Sequence, residues 1–212
     1  MEHGQSSKNE GLRFGPLTDA MHVCVDMQRL FAEDTPWKTP WMERVLPKVV
    51  ELVSANPRAC VFTRFIPAPG PKYDYKLAWM DRLKARAAAL IEGEETALML
   101  GDFNVIPEPR DCWDPAAWAL DALFLPDTRA AFRRVTHLGF TDALRAVDQS
   151  AGMYTFWDYQ AGAYQRNRGI RIDHILLTPQ AADRLETCGI DTETRGRDKP
   201  SDHVPIWVTL EP

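Results

Sequence analysis

Three short acidic motifs stand at the edges of apolar runs: Asp102 and Asn104 in "LMLGDFN", Asp173 and His174 in "RIDHILL", and Asp202 and His203 in "SDHVPIW". These residue types suit the hydrolysis of a phosphoester. A carboxylate beside an amide can orient a water and hold a phosphate oxygen. A carboxylate bonded to a histidine fixes the tautomer of the ring and raises its basicity. Residues two apart on a strand point the same way, so Asp102 and Asn104 are expected to project side by side. Gly101 would let a ligand or a backbone come close. Taken singly, an aspartate and an asparagine at a strand end are ordinary turn chemistry. Three such motifs could instead meet at one end of a sheet, where ligands bind in α/β folds. His174 would face away from Asp173 and is left out of the site. His22 and His137 have no partner in sequence and read as structural.

The elements that must carry these residues alternate between strand and helix. "HVCVDMQ" reads as a buried strand and "ACVFTRFI" as a second. Between them, Met42, Val45, Leu46, Val49, Val50 and Val53 recur at helical spacing, with Pro47 inside the stretch as a kink or a first turn. The three make a βαβ unit with a parallel strand pair. Pro67, Pro69, Gly70 and Pro71 follow in "TRFIPAPGPKYDYK". Residues 75–91 are expected to form an amphipathic helix. "TALMLGDFNV" is apolar without alternation, so it should be a central strand covered on both faces. "AAWALDALFLP" and "DTRAAFRRVTHLG" look helical. "TFWDYQAGAYQRNRGIRIDHILLTP" reads as a hairpin turning at Asn167 and Gly169. "QAADRLETCGI" starts as a short helix, and "SDHVPIWVTLEP" ends the chain as a strand.

Composition narrows the partners. The 212 residues are 45% hydrophobic and 26% charged, as in soluble globular proteins. No apolar run approaches the roughly 20 residues that span a bilayer. The polar opening, "MEHGQSSKNEGLRFGP", has no signal-peptide core, which makes the cytoplasm the expected compartment. Cys24, Cys60, Cys112 and Cys188 form no CxxC and read as buried thiols. The net charge is −5, whereas a protein that coats nucleic acid through bulk charge is basic. Contact with phosphates would need a local patch. Arg166, Arg168 and Arg171 are the best candidates for one, and are otherwise a solvated hairpin edge.

The same motifs, "GDFNV", "NRGIRIDHIL" and "KPSDHVPIWV", together with "FWDYQ" and "KYDYKLAWMDRL", resemble the exodeoxyribonuclease III family of abasic-site endonucleases, in the endonuclease/exonuclease/phosphatase superfamily. The resemblance covers residues 68–212. It implies a metal-dependent DNA phosphodiesterase working in DNA repair on double-stranded DNA, at an abasic site or a 3′ end. By that resemblance Asp102 positions or deprotonates the attacking water and Asn104 bonds the scissile phosphate. Asp173 pairs with His203, which stabilises charge developing on phosphorus, and Asp202 assists at the metal. Trp157 and Ile170 fall where the family lines its pocket for a flipped-out abasic sugar, although an aromatic cluster such as Phe156, Trp157 and Tyr159 is otherwise core packing. Lys76, Asn167 and Arg168 match polar positions near the DNA. Mg²⁺ (or Mn²⁺) suits oxygen ligands of this kind.

The family's N-terminal half, which supplies one of its two sheets and a glutamate that is its main metal ligand, has no counterpart here. "HVCVDMQRLFAEDTPWKTPWMERVLPKVVELV" with "VFTRFIP" instead resembles the start of an isochorismatase-like cysteine hydrolase, in which Asp26 would be one member of an Asp–Lys–Cys triad. The lysine and cysteine of that triad are missing, so Asp26 alone does no acyl chemistry. Asp26 could take the place of the lost glutamate. The expected architecture is therefore α/β: a mixed sheet with flanking helices, half of a DNase I-like four-layer α/β sandwich, preceded by a βαβ fragment. Residues 1–16 form a terminus, 17–67 the hydrolase-like fragment and 68–212 the nuclease-like domain, with the join between Ile66 and Lys72. Three functions stay open: an impaired DNA phosphodiesterase, an inactive chimeric remnant, and a phosphatase of the same superfamily. The uncovered inner face of the remaining sheet would allow self-association.

Overall fold

The computed structural model describes residues 22–24, 42–55, 60–62 and 71–211. Asp26 and the expected join between Ile66 and Lys72 lie outside them, apart from Pro71 and Lys72. Strand β1 (His22–Cys24) pairs in parallel with β2 (Cys60–Phe62), and helix α1 (Met42–Ala55, containing Pro47) lies between them in sequence. On α1, Val45, Leu46 and Val50 are exposed.

Helix α2 (Pro71–Glu92) opens with proline at its first position and Asp74 in its first turn, both favourable at a helix N-terminus. Lys76, Met80, Leu83, Ala87 and Leu90 recur every three or four residues and form its inward stripe. Strand β3 (Leu98–Asp102) follows, then a one-turn helix α3 (Pro115–Trp118) and helix α4 (Pro126–Thr136). The expected helix over "AAWALDALFLP" is only α3 and turns; Leu120 is almost fully exposed. Short strand β4 (Thr141–Asp142) runs directly into α5 (Ala143–Val147), which Asp142 caps by accepting from Arg145 N. Strand β5 (Asp173–Leu177), α6 (Pro179–Ala182), β6 (Leu185–Ile190) and β7 (Ile206–Leu210) complete the described chain.

The sheet order is β3–β5–β4, all antiparallel, with β6 and β7 as a separate antiparallel pair. This corrects the sequence reading. The central strand is "DHILL", every residue of which is buried. Among the described strands, "LMLGD" is an edge in which Leu98 and Leu100 remain partly exposed. A run of apolar residues cannot distinguish these positions, because a strand covered by a helix on one side and half covered on the other is also non-alternating. The two faces of the sheet have different covers. Met99 and Leu176 pack with Met80, Ala87, Phe132 and Val135 of α2 and α4. Ile175 and Leu177 pack with Leu144 of α5, Cys188 of β6 and Val208 of β7.

The expected hairpin is also corrected. Only its second arm is a strand. The first arm meets the second through one bridge, Phe156 to Ile170, and its remainder winds into a short 3₁₀ turn, Gln160–Gly162, and further turns. Gly169 shows why the chain is drawn in there. A Cβ on it would stand 2.6 Å from both Trp157 Nε1 and Tyr154 Cδ2. The two rings close over the glycine, which pulls the backbone out of strand geometry.

Candidate active site

The ladder between β3 and β5 ends in the pair Asp102 and Asp173. Residues directly opposite in an antiparallel pair share a face, with Cβ atoms roughly 5 Å apart. The preceding pair, Gly101 opposite His174, points to the other face. There the ring of His174 is fully buried against Phe103 and Phe132, and its Nε2 donates to Val105 O at 2.9 Å. Burial, with Arg171 nearby, lowers its pKa to about 4, so it is a neutral core residue.

Two like charges across a ladder repel, and the structure answers Asp173 with a cation and Asp102 with amide donors. His203 enters from the loop before β7, and its Nδ1 donates to Asp173 Oδ2 at 2.9 Å. Burial opposes the charged ring. Asp173 overcomes that cost, and Asp102 and Asp202 add to it, so the His203 pKa rises to about 10. The imidazole is a cation at neutral pH, with Nε2–H left to donate elsewhere. The loop bearing it is fixed by backbone bonds, Trp157 N to Asp202 O and Val204 N to Thr155 O, both 2.9 Å. Thr155 Oγ1 in turn accepts from the amides of Ile172 and Asp173. Asp202 is half-buried beside this pair.

Asp102 and Asn104 meet, but not by strand alternation. The strand stops at Asp102, and Asn104 turns into the left-handed region at φ 52°. Asp102 Oδ1 accepts from Asn104 N at 2.7 Å, and its Oδ2 accepts from Asn104 Nδ2 at 2.8 Å. The second amide proton of Asn104 remains available for another acceptor. Asparagine tolerates this backbone region better than most residues.

Lys76 is reassigned by its position. It is 3% exposed, and its ammonium donates to the carbonyls of Asn104 and of Ala122, the latter at 3.1 Å. It therefore holds the Asn104 turn from beneath and presents nothing to a DNA surface. Burial lowers its pKa to about 8, against the pull of Asp102 and Asp121. Trp157 and Ile170 are buried as well, 2% and 1% exposed, in two different core clusters of the described residues. The aromatic beside the site is Phe156, half-buried, its ring centroid 5.1 Å from that of His203. Alternation in "TFW" implies that one of the two neighbouring rings faces the site, but not which one. Asn167 is exposed at φ 50° and accepts from Trp157 Nε1 at 3.3 Å. Arg168 is exposed and stacks on Trp113, 4.8 Å from its centroid. Of the three expected patch arginines, Arg171 drops out: it is 1% exposed and bonded to Asp111 and Asp142.

Asp102, Asn104, Asp173, Asp202 and His203 are thus one neighbourhood: a carboxylate–amide pair and a carboxylate–imidazolium pair joined across a ladder. Among the described residues, however, no three Asp, Glu, His or Cys side chains group so as to hold a metal ion. Both oxygens of Asp102 accept from Asn104, and Asp173 gives one to His203. This donor set does not complete the Mg²⁺ or Mn²⁺ site that the sequence resemblance implies. No helix of the described residues is long and apolar enough to cross a membrane.

Comparison with known proteins bears on this arrangement. Residues 22–203 match the model of the Endonuclease/Exonuclease/phosphatase family, a match that begins inside the segment 17–67. Exodeoxyribonuclease III of Haemophilus influenzae is 35% identical over 121 residues, 54% of this chain and 45% of that protein. Exodeoxyribonuclease of Bacillus subtilis is 32% identical over 140 residues, 66% of this chain and 54% of that one. An AP endonuclease structure from Archaeoglobus fulgidus superposes with a TM-score of 0.65 at 37% identity, covering 69% of this chain and 57% of its own. A 3′ phosphatase from Neisseria, bound to a product DNA hairpin, superposes with a TM-score of 0.65 at 35% identity, covering 67% and 55%. The chain spans about half the length of the curated relatives it matches.

Proposed function

Because the chain belongs to the endonuclease/exonuclease/phosphatase family, we propose that it acts on phosphoester bonds of double-stranded DNA, at abasic sites or 3′ ends, as a DNA-repair nuclease. The observation that carries this reading is the ladder pair Asp102–Asp173 with His203 bonded to Asp173. In this reading Asp102 orients and deprotonates the attacking water. Asn104 turns its free amide proton to a non-bridging phosphate oxygen. His203, held cationic by Asp173, donates Nε2–H to the oxygen on which charge develops, a preorganised donor of the kind that contributes most in such reactions. A missing base lowers the cost of taking the nucleotide out of the stack, and Phe156 is the apolar surface beside His203 for the exposed sugar.

The described residues do not complete a metal site, and Asp202 is the carboxylate left to help hold an ion. Metal ions supply much of the charge stabilisation in phosphoryl chemistry. The proposal therefore includes a slow but measurable rate for this chain alone. The test is a nicking assay on abasic-site duplex with Mg²⁺, run beside the Asp102→Ala/His203→Ala double variant. Cleavage by the chain and none by the variant supports the reading; equal signal from both overturns it. A duplex bearing a 3′-phosphate is the parallel substrate, because a similar solved structure is a 3′ phosphatase.

A further inference from the structure

Residues 107–110, α4 and the start of α5 border a half-open cavity of about 500 Å³ that shares no residue with the Asp102–His203 group. Arg110, Arg129, Arg133, Arg145 and Arg171 line it. Four carboxylates face these five guanidinium charges, one of them Asp148, whose charge acts on Arg145. Asp111, wholly buried, binds Arg145 and Arg171. Asp142 binds Arg171 at 2.8 Å, and Glu108 lies 2.6 Å from Arg110. The excess is positive, in a chain whose net charge is −5.

The surplus falls on particular groups. Arg129 lies over the Phe124 ring and donates Nε to the Pro107 carbonyl, with no carboxylate partner among the described residues. Arg133 is exposed, and its side chain makes no described hydrogen bond or ion pair. Arg145, by contrast, is 7% exposed and already paired: Asp111 and the carbonyls of Asp148 and Ser150 take its terminal nitrogens, and only its buried Nε has no acceptor in the described chain. A buried guanidinium N–H is costly to leave unbonded. The planar guanidinium fork matches phosphate oxygens two at a time. The volume is that of a small-molecule site, well above one phosphate ion, and Phe132 reaches its wall with only 3% of its surface exposed.

We propose that this cavity binds a small phosphomonoester of about mononucleotide size, its phosphate held by Arg129 and Arg133 at the wall the two side chains share. The site is separate from the nuclease reading and does not rest on it.

Calorimetric titration of the full chain with deoxyadenosine monophosphate, inorganic phosphate and deoxyadenosine tests this without DNA. The monophosphate is expected to bind about tenfold more tightly than inorganic phosphate, and deoxyadenosine not at all. The surface change Arg133→Glu should weaken binding at least about tenfold, whereas His203→Ala should leave it unchanged. Amide chemical shifts that move in α4 and α5 on titration would agree. The proposal fails if neither phosphate ligand binds below about 10 mM, if deoxyadenosine binds equally well, if Arg133→Glu binds as the wild type does, or if His203→Ala abolishes binding.

Discussion

A histidine that stays charged to about pH 10 is a donor, not a base, at any physiological pH, and that choice is made by one neighbour. The Nδ1 bond to Asp173 fixes which nitrogen faces outward. Replacing Asp173 with Asn removes the charge while keeping the shape. The His203 pKa should then fall from about 10 toward its ordinary 6.5, because Asp173 is the largest influence opposing burial and only Asp102 and Asp202 remain to oppose it. Nuclear magnetic resonance titration of the ring protons reads this directly, and an unmoved pKa would remove Asp173 as the cause. The sign on stability follows. A folded-state pKa above 6.5 contributes stability that is fully present below pH 6.5 and is lost as pH rises through about 10. Lys76 behaves in the opposite sense. Its folded pKa of about 8 lies below 10.5, so the cost of burying its charge is present below pH 8 and relieved as pH rises toward 10.5. Lys76→Met should keep the inward stripe of α2 filled while freeing the Asn104 carbonyl. If Lys76 holds that turn, the loss appears in kcat with KM little changed, and Lys76→Arg restores part of it. If Lys76 instead touches DNA, KM rises.

At the scale of elements, the clasp between residues 155–157, Gly169–Ile170 and the loop at 202–204 positions His203, and its tightest point is Gly169. A methyl group there meets Trp157 and Tyr154 at 2.6 Å. Gly169→Ala should therefore cost about 1–3 kcal/mol by overpacking, measured as a lower urea midpoint at unchanged slope. A variant as stable as the parent would show that the two rings move aside freely. This clasp also marks where sequence reading stopped. Asp102, Asp173 and His203 were legible because each stands at the edge of an apolar run, and strand ends collect at sheet edges. The order β3–β5–β4 was not legible, since "LMLGD" and "DHILL" have the same pattern and differ only in what covers them. The hairpin reading missed because "TFWDYQ" has strand propensity, whereas its rings go three ways: Trp157 covers Gly169, Phe156 packs on His203 and Tyr159 stacks with Arg195. The resemblance places Lys76 near the DNA, whereas its spacing to Met80, Leu83 and Ala87 puts it on the buried stripe of α2.

For the molecule as a whole, one buried carboxylate joins parts that are far apart in sequence. Asp111 is fully buried and bonds Arg145 of α5 and Arg171 of the approach to β5; Arg171 also bonds Asp142, the cap of α5. Arg171 N closes the same link through Asp111 O at 2.8 Å. The turn after β3, the β4–α5 corner and the strand carrying Asp173 are thereby tied at one point. Burial works against the charge on Asp111, but Arg171 and then Arg145 outweigh it and hold its carboxyl below the ordinary 3.8. Such a group stabilises the fold above pH 3.8, and that contribution is lost as pH falls through its lower folded value. Asp111→Asn leaves two buried guanidinium groups short of charge, and breaking a buried pair in this way costs about 3–5 kcal/mol. Urea unfolding at neutral pH should show that loss, and the gap between variant and parent should narrow below pH 3.8, where the parent gives up the same charge. The exposed pair of Arg134 with Asp81 at 3.5 Å is the control, because Arg134→Ala removes an ion pair already screened by water. If both substitutions lower the midpoint equally, the buried network is no more than surface charge. If only Asp111→Asn does, and the Asp102–Asn104 amides then broaden together with those of Asp173, the network is what keeps the two halves of the site in register.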